Sequence, residues 1–244
     1  GSHQMPPPAS RQARYDALLV VSFGGPEGPG DVMPFLENVL RGRPVPRERM
    51  LEVAEHYQHF GGVSPINGQN RALIGALETE LARAGIHLPV YWGNRNWQPF
   101  LEDALRQMRA DGRRRALAFM TSAYSSYSGC RQYREDIERA REAIGEGAPE
   151  VDKLRVFYNH PGFVEPNARL LVEALARIPV DRRDTAAVAF TAHSLPAAMA
   201  AGSAYQAQLA DTCQLVAGLA GIAVGVMPLD KVPAALGGNG TETF

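Results

Sequence analysis

Short aliphatic runs alternate along this chain with longer segments whose apolar residues recur at helical spacing. A short apolar run closed by glycine or proline is typical of a strand buried on both faces, and an i, i+3, i+4, i+7 repeat is typical of an amphipathic helix. Strands are therefore predicted for YDALLVVSFGG, LPVYWGN, RRRALAFMTS, KLRVFYN and TAAVAFTAHS. Helices are predicted for ERMLEVAEHYQHF, NRALIGALETELARAG, PFLEDALRQMRADG, CRQYREDIERAREAI, FVEPNARLLVEALARI and YQAQLADTCQLVAGLAG. Gly85 and Gly112 fit the ends of two of these helices.

This alternation predicts an α/β fold in which helices cover both faces of parallel sheet. The repeat falls into two halves that meet near residues 93–99, GNRNWQP, so two α/β subdomains with a cleft between them are the simplest architecture. We expect the first half to cover residues 14–95 and the second half residues 96–244. Residues 1–13 begin with the tag-like GSHQM and are predicted to be a flexible lead-in. After Gly221 the alternation stops, so the second half is predicted to be incomplete beyond about residue 222.

Composition narrows the class of protein. The chain has 244 residues, of which 45% are hydrophobic and 21% charged, with a formal net charge of −1. This near-neutral balance gives no support for nucleic-acid or anionic-membrane binding, because both need a basic surface. No apolar run approaches the roughly 20 residues of a transmembrane helix. The two cysteines lie far apart and make no disulfide framework. We therefore expect a protein of the reducing cytoplasm, with neither a nucleic-acid partner nor a transmembrane segment.

Candidate chemistry gathers at the carboxyl ends of the predicted strands, where parallel α/β sheets bind their ligands. These ends read SFGGP, WGNRNW, TSAYSSYSGC, YNHPGF and TAHSLP, and they are rich in aromatic, hydroxyl and imidazole groups. The first of them, SFGGPEGPG, lacks both the G-x-G-x-x-G order and a Walker lysine, so a dinucleotide site is disfavoured. A tight loop that brings Phe23 to the wall of the cleft is the better interpretation.

Two further segments each have two interpretations. LRGRPVPRERM, residues 40–50, places four arginines around two prolines, and is either a solvated loop or a surface that recognises carboxylates or phosphates. HYQHFGGVSPINGQN begins with His56 and His59 on one helical face. Zinc is disfavoured there because no third ligand lies nearby in the sequence. A glycine-kinked loop over a flat ligand is favoured instead.

The hydroxyl-rich segment TSAYSSYSGCRQY and the histidine of FTAHSLP are also ambiguous by themselves. Hydroxyls beside a helix start can bind ligand carboxylates, although capping and turn formation explain them equally well. Cys130 stands at that helix start, where a thiolate is favoured, but such a lone thiol is more often inert. His193 follows a predicted strand, where a histidine is more often structural than catalytic. Its neutral imidazole can accept a proton or bind a divalent metal.

Taken in order, SFGGPE, FLENVLRGRPVP, HYQHFGGVSPINGQN, YWGNRNWQPF, TSAYSSYSGCRQY and FTAHSLP resemble the ferrochelatase family, and most closely its actinobacterial, coproporphyrin-type members. The resemblance runs from about Tyr15 to Gly221. It implies a chelatase-like fold of two Rossmann-like parallel-sheet halves around a porphyrin cleft. The implied activity is insertion of ferrous iron into coproporphyrin III in haem biosynthesis, a lyase reaction. The implied partners are porphyrin and ferrous iron, and we expect a monomer.

The resemblance also implies roles for individual residues. His193 is the implied catalytic residue, which accepts pyrrole protons or meets the ferrous iron substrate. Phe23 stands where the family often has tyrosine, so a metal contact through oxygen is absent here. Cys130 matches the position that supplies one ligand of a [2Fe–2S] cluster in actinobacterial members. Porphyrin contacts are implied for Phe23, Arg41, Ser64, Arg95, Asn96, Tyr124, Ser126 and Tyr133.

Beyond Gly221 the resemblance ends. Family members continue into a segment with a catalytic glutamate and the remaining cluster cysteines, and nothing similar follows Ile222. Cys130 and Cys213 by themselves do not complete a cluster, which normally needs four ligands. Either sequence is missing at this end or the chain is a paralogue that abandoned catalysis, and the abrupt change of composition favours the first. A porphyrin- or haem-binding remnant without turnover and a chelatase for another metal or tetrapyrrole stay open as alternatives.

Overall fold

The computed structural model describes residues 14–125, 127–193 and 201–223. They form two compact units. The first consists of the described residues up to Thr121 together with Asp136–Leu154. The second consists of the described residues in Ser122–Glu135 and from Arg155 onward. The strands are β1 Ala17–Ser22, β2 Val90–Asn94, β3 Arg115–Met120 and β4 Glu150–Lys153. The helices are α1 Val32–Leu40, α2 Arg47–His59, α3 Ile66–Arg83, α4 Leu101–Ala110, α5 Tyr127–Ile144, α6 Pro161–Ala176, α7 Val180–Arg183 and α8 Tyr205–Leu219, with a 3₁₀ turn over Pro29–Asp31.

All four described strands lie in one parallel sheet of the first unit, in the order β2-β1-β3-β4. In the centre of the sheet, Leu18 of β1 lies opposite Val90 of β2 and Leu117 of β3. Every residue of β1 is buried, as expected of an aliphatic strand covered on both faces. The predicted α/β fold with parallel sheet is confirmed. The predicted division after residue 95 stays a prediction, because it concerned two sheets and the described strands form one.

The fourth strand lies earlier in the chain than predicted. The apolar run KLRVFYN, residues 153–159, was expected to form it, but β4 spans Glu150–Lys153 and pairs with β3 from Arg115 to Ala118. The N–H of Leu154 still donates to the carbonyl oxygen of Ala118, at 2.9 Å, and the chain then leaves the sheet. An apolar run is not sufficient for a strand, because a strand also needs a partner in register.

The prediction of a fifth strand over TAAVAFTAHS is wrong for residues 185–193, the part that the structure describes. These residues have no strand pairing and are largely exposed; the final Ser194 lies outside the described residues. The described residues of the second unit contain helices and no strand with which this segment can pair. β propensity alone does not form a strand without such a partner.

The helix predictions hold, and two helices were missed, α1 and the four-residue α7. Gly85 and Gly112 follow α3 and α4 with φ of +68° and +75°, the left-handed conformation of a helix C-cap. The longer of the two is α1, whose sequence VMPFLENVL contains Pro34. Proline is tolerated there because N–H groups in the first turn have no partner within the helix. Each helix in the described part of the chain is too short or too polar to span a membrane.

Candidate functional site

The carboxyl ends of β1 and β3 meet in the first unit at the point where the chain order of the strands reverses. From β1 the chain crosses to β2 on one side and then returns to β3 on the other side. Thr121, just after β3, donates its hydroxyl hydrogen to Ser22 Oγ of β1 at 2.9 Å, and its N–H to the carbonyl of Val21 at 3.0 Å. Ligands of open α/β sheets bind outside such a reversal point.

Beside this edge lies an apolar pocket of about 360 Å³. Three aromatic rings form its wall, with the Phe23 and Phe35 centroids 6.0 Å apart and the Phe35 and Tyr57 centroids 5.8 Å apart, both edge to face. Burial raises the pKa of the Tyr57 hydroxyl, so this group is neutral near pH 7. The lining residues are Phe23, Phe35, Leu36, Val39, Leu40, Val45, Arg49, Met50, Val53 and Tyr57.

One arginine lines this pocket, and another follows α1, the helix that supplies four of the lining residues. Arg49, the charged residue of its lining, pairs with Glu52 on the same helix, with Nη1 and Oε2 2.7 Å apart and both side chains largely exposed. Arg41 follows α1 and donates from Nη2 to Asn38 Oδ1 at 3.0 Å. Asn38 in turn donates to the carbonyl oxygen of Asn96, also at 3.0 Å. Asn38 was not predicted, yet it links two predicted site residues.

The segment after β2 contacts the Phe23 loop directly. The N–H of Arg95 donates to the carbonyl of Ser22 at 3.0 Å, and the N–H of Asn96 donates to the carbonyl of Phe23 at 3.1 Å. The Arg95 guanidinium carbon lies 5.9 Å from the centroid of the Phe23 ring, and Arg95 Nε lies 2.6 Å from Asp136 Oδ2. Phe23, Arg95 and Asn96 therefore form one contiguous cluster, in which Asn96 is buried.

Ser64 supports the same loop from the other side. Its N–H donates to the carbonyl of Pro26 at 2.8 Å, and its hydroxyl oxygen accepts from the N–H of Ile66 at 3.3 Å. A side chain at Gly25 would bring a Cβ within 2.7 Å of the Ser64 Cβ, so only glycine fits there without movement. Ser64 thus fixes the loop that carries Phe23.

Two buried amides, which the sequence analysis did not single out, hold these loops together. Asn67 and Asn94 are fully buried, and Asn94 Nδ2 donates to Asn67 Oδ1 at 3.2 Å. Asn67 Nδ2 in turn donates to the carbonyls of Gly25 at 3.3 Å and Gln98 at 3.2 Å. The sequence pattern that could have identified them is an asparagine on the inward face of α3, Asn67, and another at the end of β2, Asn94.

In the second unit, an aromatic group adjoins the predicted catalytic histidine. The rings of Tyr124 and Tyr205 lie 5.8 Å apart, edge to face, and the Tyr124 ring lies 6.4 Å from Phe163. The Tyr205 hydroxyl donates to the carbonyl oxygen of His193 at 2.9 Å. Tyr205 thereby joins two predicted site residues, and His193 itself is exposed.

The remaining predicted residues fall on or near α5. Tyr133 is buried, with 9% of its surface exposed. Cys130 lies within α5, but its side chain and the whole of Ser126 lie outside the described part of the structure.

The described residues do not fit a [2Fe–2S] cluster. No group of three or more histidine, cysteine or acidic side chains among them stands close enough to hold a metal ion. Cys213 is half-buried, and burial raises the pKa of its thiol. This disfavours the thiolate that cluster iron binds.

Comparison with known proteins identifies the family. Residues 15–227 match the family model described as Ferrochelatase. A ferrochelatase of Rhodopirellula baltica is 61% identical over 207 residues, which cover 85% of this chain and 59% of that protein. Coproporphyrin III ferrochelatases of Streptomyces coelicolor and Nocardia farcinica are each 56% identical over 216 residues, covering 83% and 85% of this chain and 58% and 61% of those proteins. The chain thus spans about three-fifths of the length of these curated relatives. It belongs to the ferrochelatase family.

Proposed function

We propose that this protein acts as a coproporphyrin III ferrochelatase, inserting ferrous iron into coproporphyrin III in haem biosynthesis. The observation that supports this most is the pocket beside α1 and α2, with its aromatic wall and the exposed Arg49 in its lining. Coproporphyrin III is a flat apolar ring with four carboxylates at its rim. An apolar pocket holds one edge of such a ring, and guanidinium groups at the margin bind the carboxylates.

In the proposed reaction, ferrous iron replaces the two pyrrole protons of the porphyrin, so a base must accept protons near the metal. His193 is the proposed base and iron contact, because a neutral imidazole accepts a proton and binds ferrous iron without holding it tightly. Phe23 has no oxygen to offer the metal, and we propose that its ring packs against the macrocycle. The other proposed porphyrin contacts are Arg41, Ser64, Arg95, Asn96, Tyr124, Ser126 and Tyr133.

The relatives support the choice of substrate, since two of those described above are named coproporphyrin III ferrochelatases. We further propose that the protein is a monomer and works in the cytoplasm. No role is proposed for a [2Fe–2S] cluster, because Cys213 is a poor ligand where it stands.

The experiment is anaerobic titration of the purified protein with coproporphyrin III, followed by addition of ferrous iron, with absorbance recorded throughout. The proposal predicts a shifted porphyrin band on binding and then the spectrum of the iron porphyrin. Binding without metallation would replace the proposal with a porphyrin-binding role, and the absence of binding would overturn both.

His193→Ala tests the role of the imidazole. The variant is expected to bind the porphyrin but to lose metallation. His87→Ala is the matched control, because His87 is an exposed histidine before β2 and outside the candidate site. Metallation by His193→Ala at the rate of His87→Ala would refute the assigned role.

A further inference from the structure

We infer that one buried polar face of α8, formed by Tyr205, Gln208 and Thr212, positions His193 and the Tyr124 segment for the reaction. This inference rests on the proposed function, because it assigns these three residues a purpose only if His193 and Tyr124 meet the porphyrin. None of the three was predicted as a site residue, and none is proposed to touch the substrate.

The three side chains share one face of the helix. Their spacing of i, i+3 and i+7 places Tyr205, Gln208 and Thr212 in a single row. They are 8%, 9% and 7% exposed, respectively. Glutamine and threonine are seldom so deeply buried without a bonding partner, since desolvation of an unsatisfied polar group is costly.

Each of the three bonds a different segment of the second unit. The Tyr205 hydroxyl donates to the carbonyl of His193 at 2.9 Å. Gln208 forms two hydrogen bonds with Ser125. Its Oε1 accepts from the Ser125 N–H at 2.7 Å, and its Nε2 donates to the Ser125 hydroxyl at 3.1 Å. The Thr212 hydroxyl donates to the carbonyl of Tyr158 at 2.7 Å. Two of these segments contain proposed site residues, His193 and the Tyr124 next to Ser125.

The packing of α8 against the rest of the second unit does not depend on these three polar side chains. One turn further on, Val216 packs against Val164 and Ala168 of α6 in a separate apolar cluster. Apolar burial supplies non-directional stability, whereas a hydrogen bond to a backbone atom also fixes direction and distance. The apolar turn therefore attaches the helix, and the polar turns set the backbone of the segments that they bond.

Tyr205 is the part of this face closest to the proposed chemistry. Its ring packs edge to face against Tyr124, and its hydroxyl holds the backbone of His193. Burial raises the pKa of this hydroxyl, so it remains a donor throughout the neutral range.

The first test compares two ligands on the full chain carrying Tyr205→Phe. Zinc coproporphyrin III binds an axial imidazole, whereas metal-free coproporphyrin III has no metal to bind one. Loss of one buried hydrogen bond is expected to weaken zinc coproporphyrin III binding about fivefold. The affinity for the metal-free ring is expected to stay within about twofold of wild type. This is the result expected if Tyr205 positions His193, whereas a variant that had partly unfolded would bind both ligands less tightly.

Tyr158→Phe is the matched control, because it also removes a tyrosine hydroxyl from the second unit but leaves the carbonyl that Thr212 bonds. It is expected to behave as wild type with both ligands. Equal weakening of both ligands by Tyr205→Phe, or no weakening of either, would overturn the inference. If wild-type protein binds neither ligand, the proposed function fails, and the exchange test below still decides whether the polar face holds its segments.

The second test uses Gln208 and needs no porphyrin. Gln208→Leu removes both bonds to Ser125, whereas Gln208→Glu keeps an acceptor for the Ser125 N–H. Amide hydrogen exchange at Ser125 is expected to speed up about tenfold in the leucine variant and to stay near wild type in the glutamate variant. Unchanged exchange in Gln208→Leu would show that this face holds nothing in place.

Discussion

Arg95 and Asp136 form a nearly buried ion pair in the first unit. Nε of Arg95 lies 2.6 Å from Oδ2 of Asp136, and the two side chains are 10% and 18% exposed. The same guanidinium lies over the ring of Phe23, which lines the apolar pocket. Asp136 therefore fixes the arginine that supports one wall of the proposed porphyrin site.

Replacing Asp136 with alanine should destabilise the protein substantially. The variant removes the carboxylate from a nearly buried ion pair, and breaking such a pair typically costs about 3 kcal/mol. The free energy of unfolding, measured by urea denaturation, is the quantity to compare.

Arg139→Gln is the control for this prediction. Arg139 bonds the same carboxylate at 3.2 Å, but its side chain is 74% exposed. We expect it to cost less than about 0.5 kcal/mol, as exposed ion pairs usually do. If the Asp136 variant lost no more stability than the Arg139 variant, the buried pair would not stabilise this wall.

Arg49→Gln should weaken the binding of coproporphyrin III. Arg49 is the charged residue of the pocket lining, and its loss removes a cation that a rim carboxylate can approach. We expect affinity to fall about fivefold in low salt and less in high salt, because added ions screen exposed charges. Fluorescence titration at two ionic strengths measures this.

Arg106→Gln makes the same charge change on α4, where Arg106 likewise pairs with a glutamate of its own helix, Glu102. This variant should bind as tightly as wild type. A loss shared equally by Arg49→Gln and Arg106→Gln would mean that net charge matters and the pocket arginine does not.

Adjacent glycines after α2 should differ in their tolerance of alanine. Gly61 and Gly62 have φ of +74° and +72°, so alanine strains the backbone at either position by about 1 kcal/mol. A Cβ at Gly62 would also stand 2.5 Å from Pro29 Cα, whereas a Cβ at Gly61 meets nothing within 4 Å.

Gly62→Ala should therefore cost at least about 1 kcal/mol more than Gly61→Ala, since backbone atoms cannot yield as a flexible side chain does. Thermal unfolding of both variants measures the difference. Equal losses of stability in the two variants would show that the close approach to Pro29 does not affect stability.

The stability that Asp152 contributes to the fold should be lost in acid. The Tyr15 hydroxyl donates to its Oδ2 at 2.8 Å and Arg115 Nη2 lies 2.6 Å from the same atom, which hold the pKa of Asp152 below its ordinary 3.8. A lowered pKa stabilises the fold fully above the ordinary value, and this contribution disappears as pH falls through the lower folded-state value.

Asp152→Asn should accordingly be less stable than wild type at pH 7, and the gap should close as the pH falls below the ordinary carboxyl value and through the lowered folded-state value. Urea midpoints across this range test the sign. Glu146→Gln, in an exposed turn, is the control and should track wild type throughout. A gap that widened in acid would contradict the assigned direction.

Periodicity in the sequence predicted most of the helices and the first three strands, because their burial follows from local pattern. β1, β2 and β3 lie where their aliphatic runs stand, and the C-cap glycines Gly85 and Gly112 have the expected positive φ. The missed α1 carries a helical apolar pattern, and its Pro34 is harmless only because it falls in the first turn.

The two strand errors have a common cause. KLRVFYN and TAAVAFTAHS are apolar enough for strands, but strands form only where a neighbouring backbone offers its hydrogen bonds. β3 offers them to Glu150–Lys153 instead, and the described residues of the second unit contain no strand to pair with residues 185–193.

Local sequence therefore specified the elements, the apolar character of their faces, the chemically rich strand ends and, through six ordered motifs, the family. Long-range contacts determined the rest, because bonds between segments distant in the chain leave no local pattern. Asn67 joins Gly25 to Gln98, Asp136 holds Arg95, and Tyr205 bonds the backbone of His193. The local sequence around an asparagine, an aspartate or a tyrosine in a helix does not identify its hydrogen-bond partner, which only the fold brings to within about 3 Å.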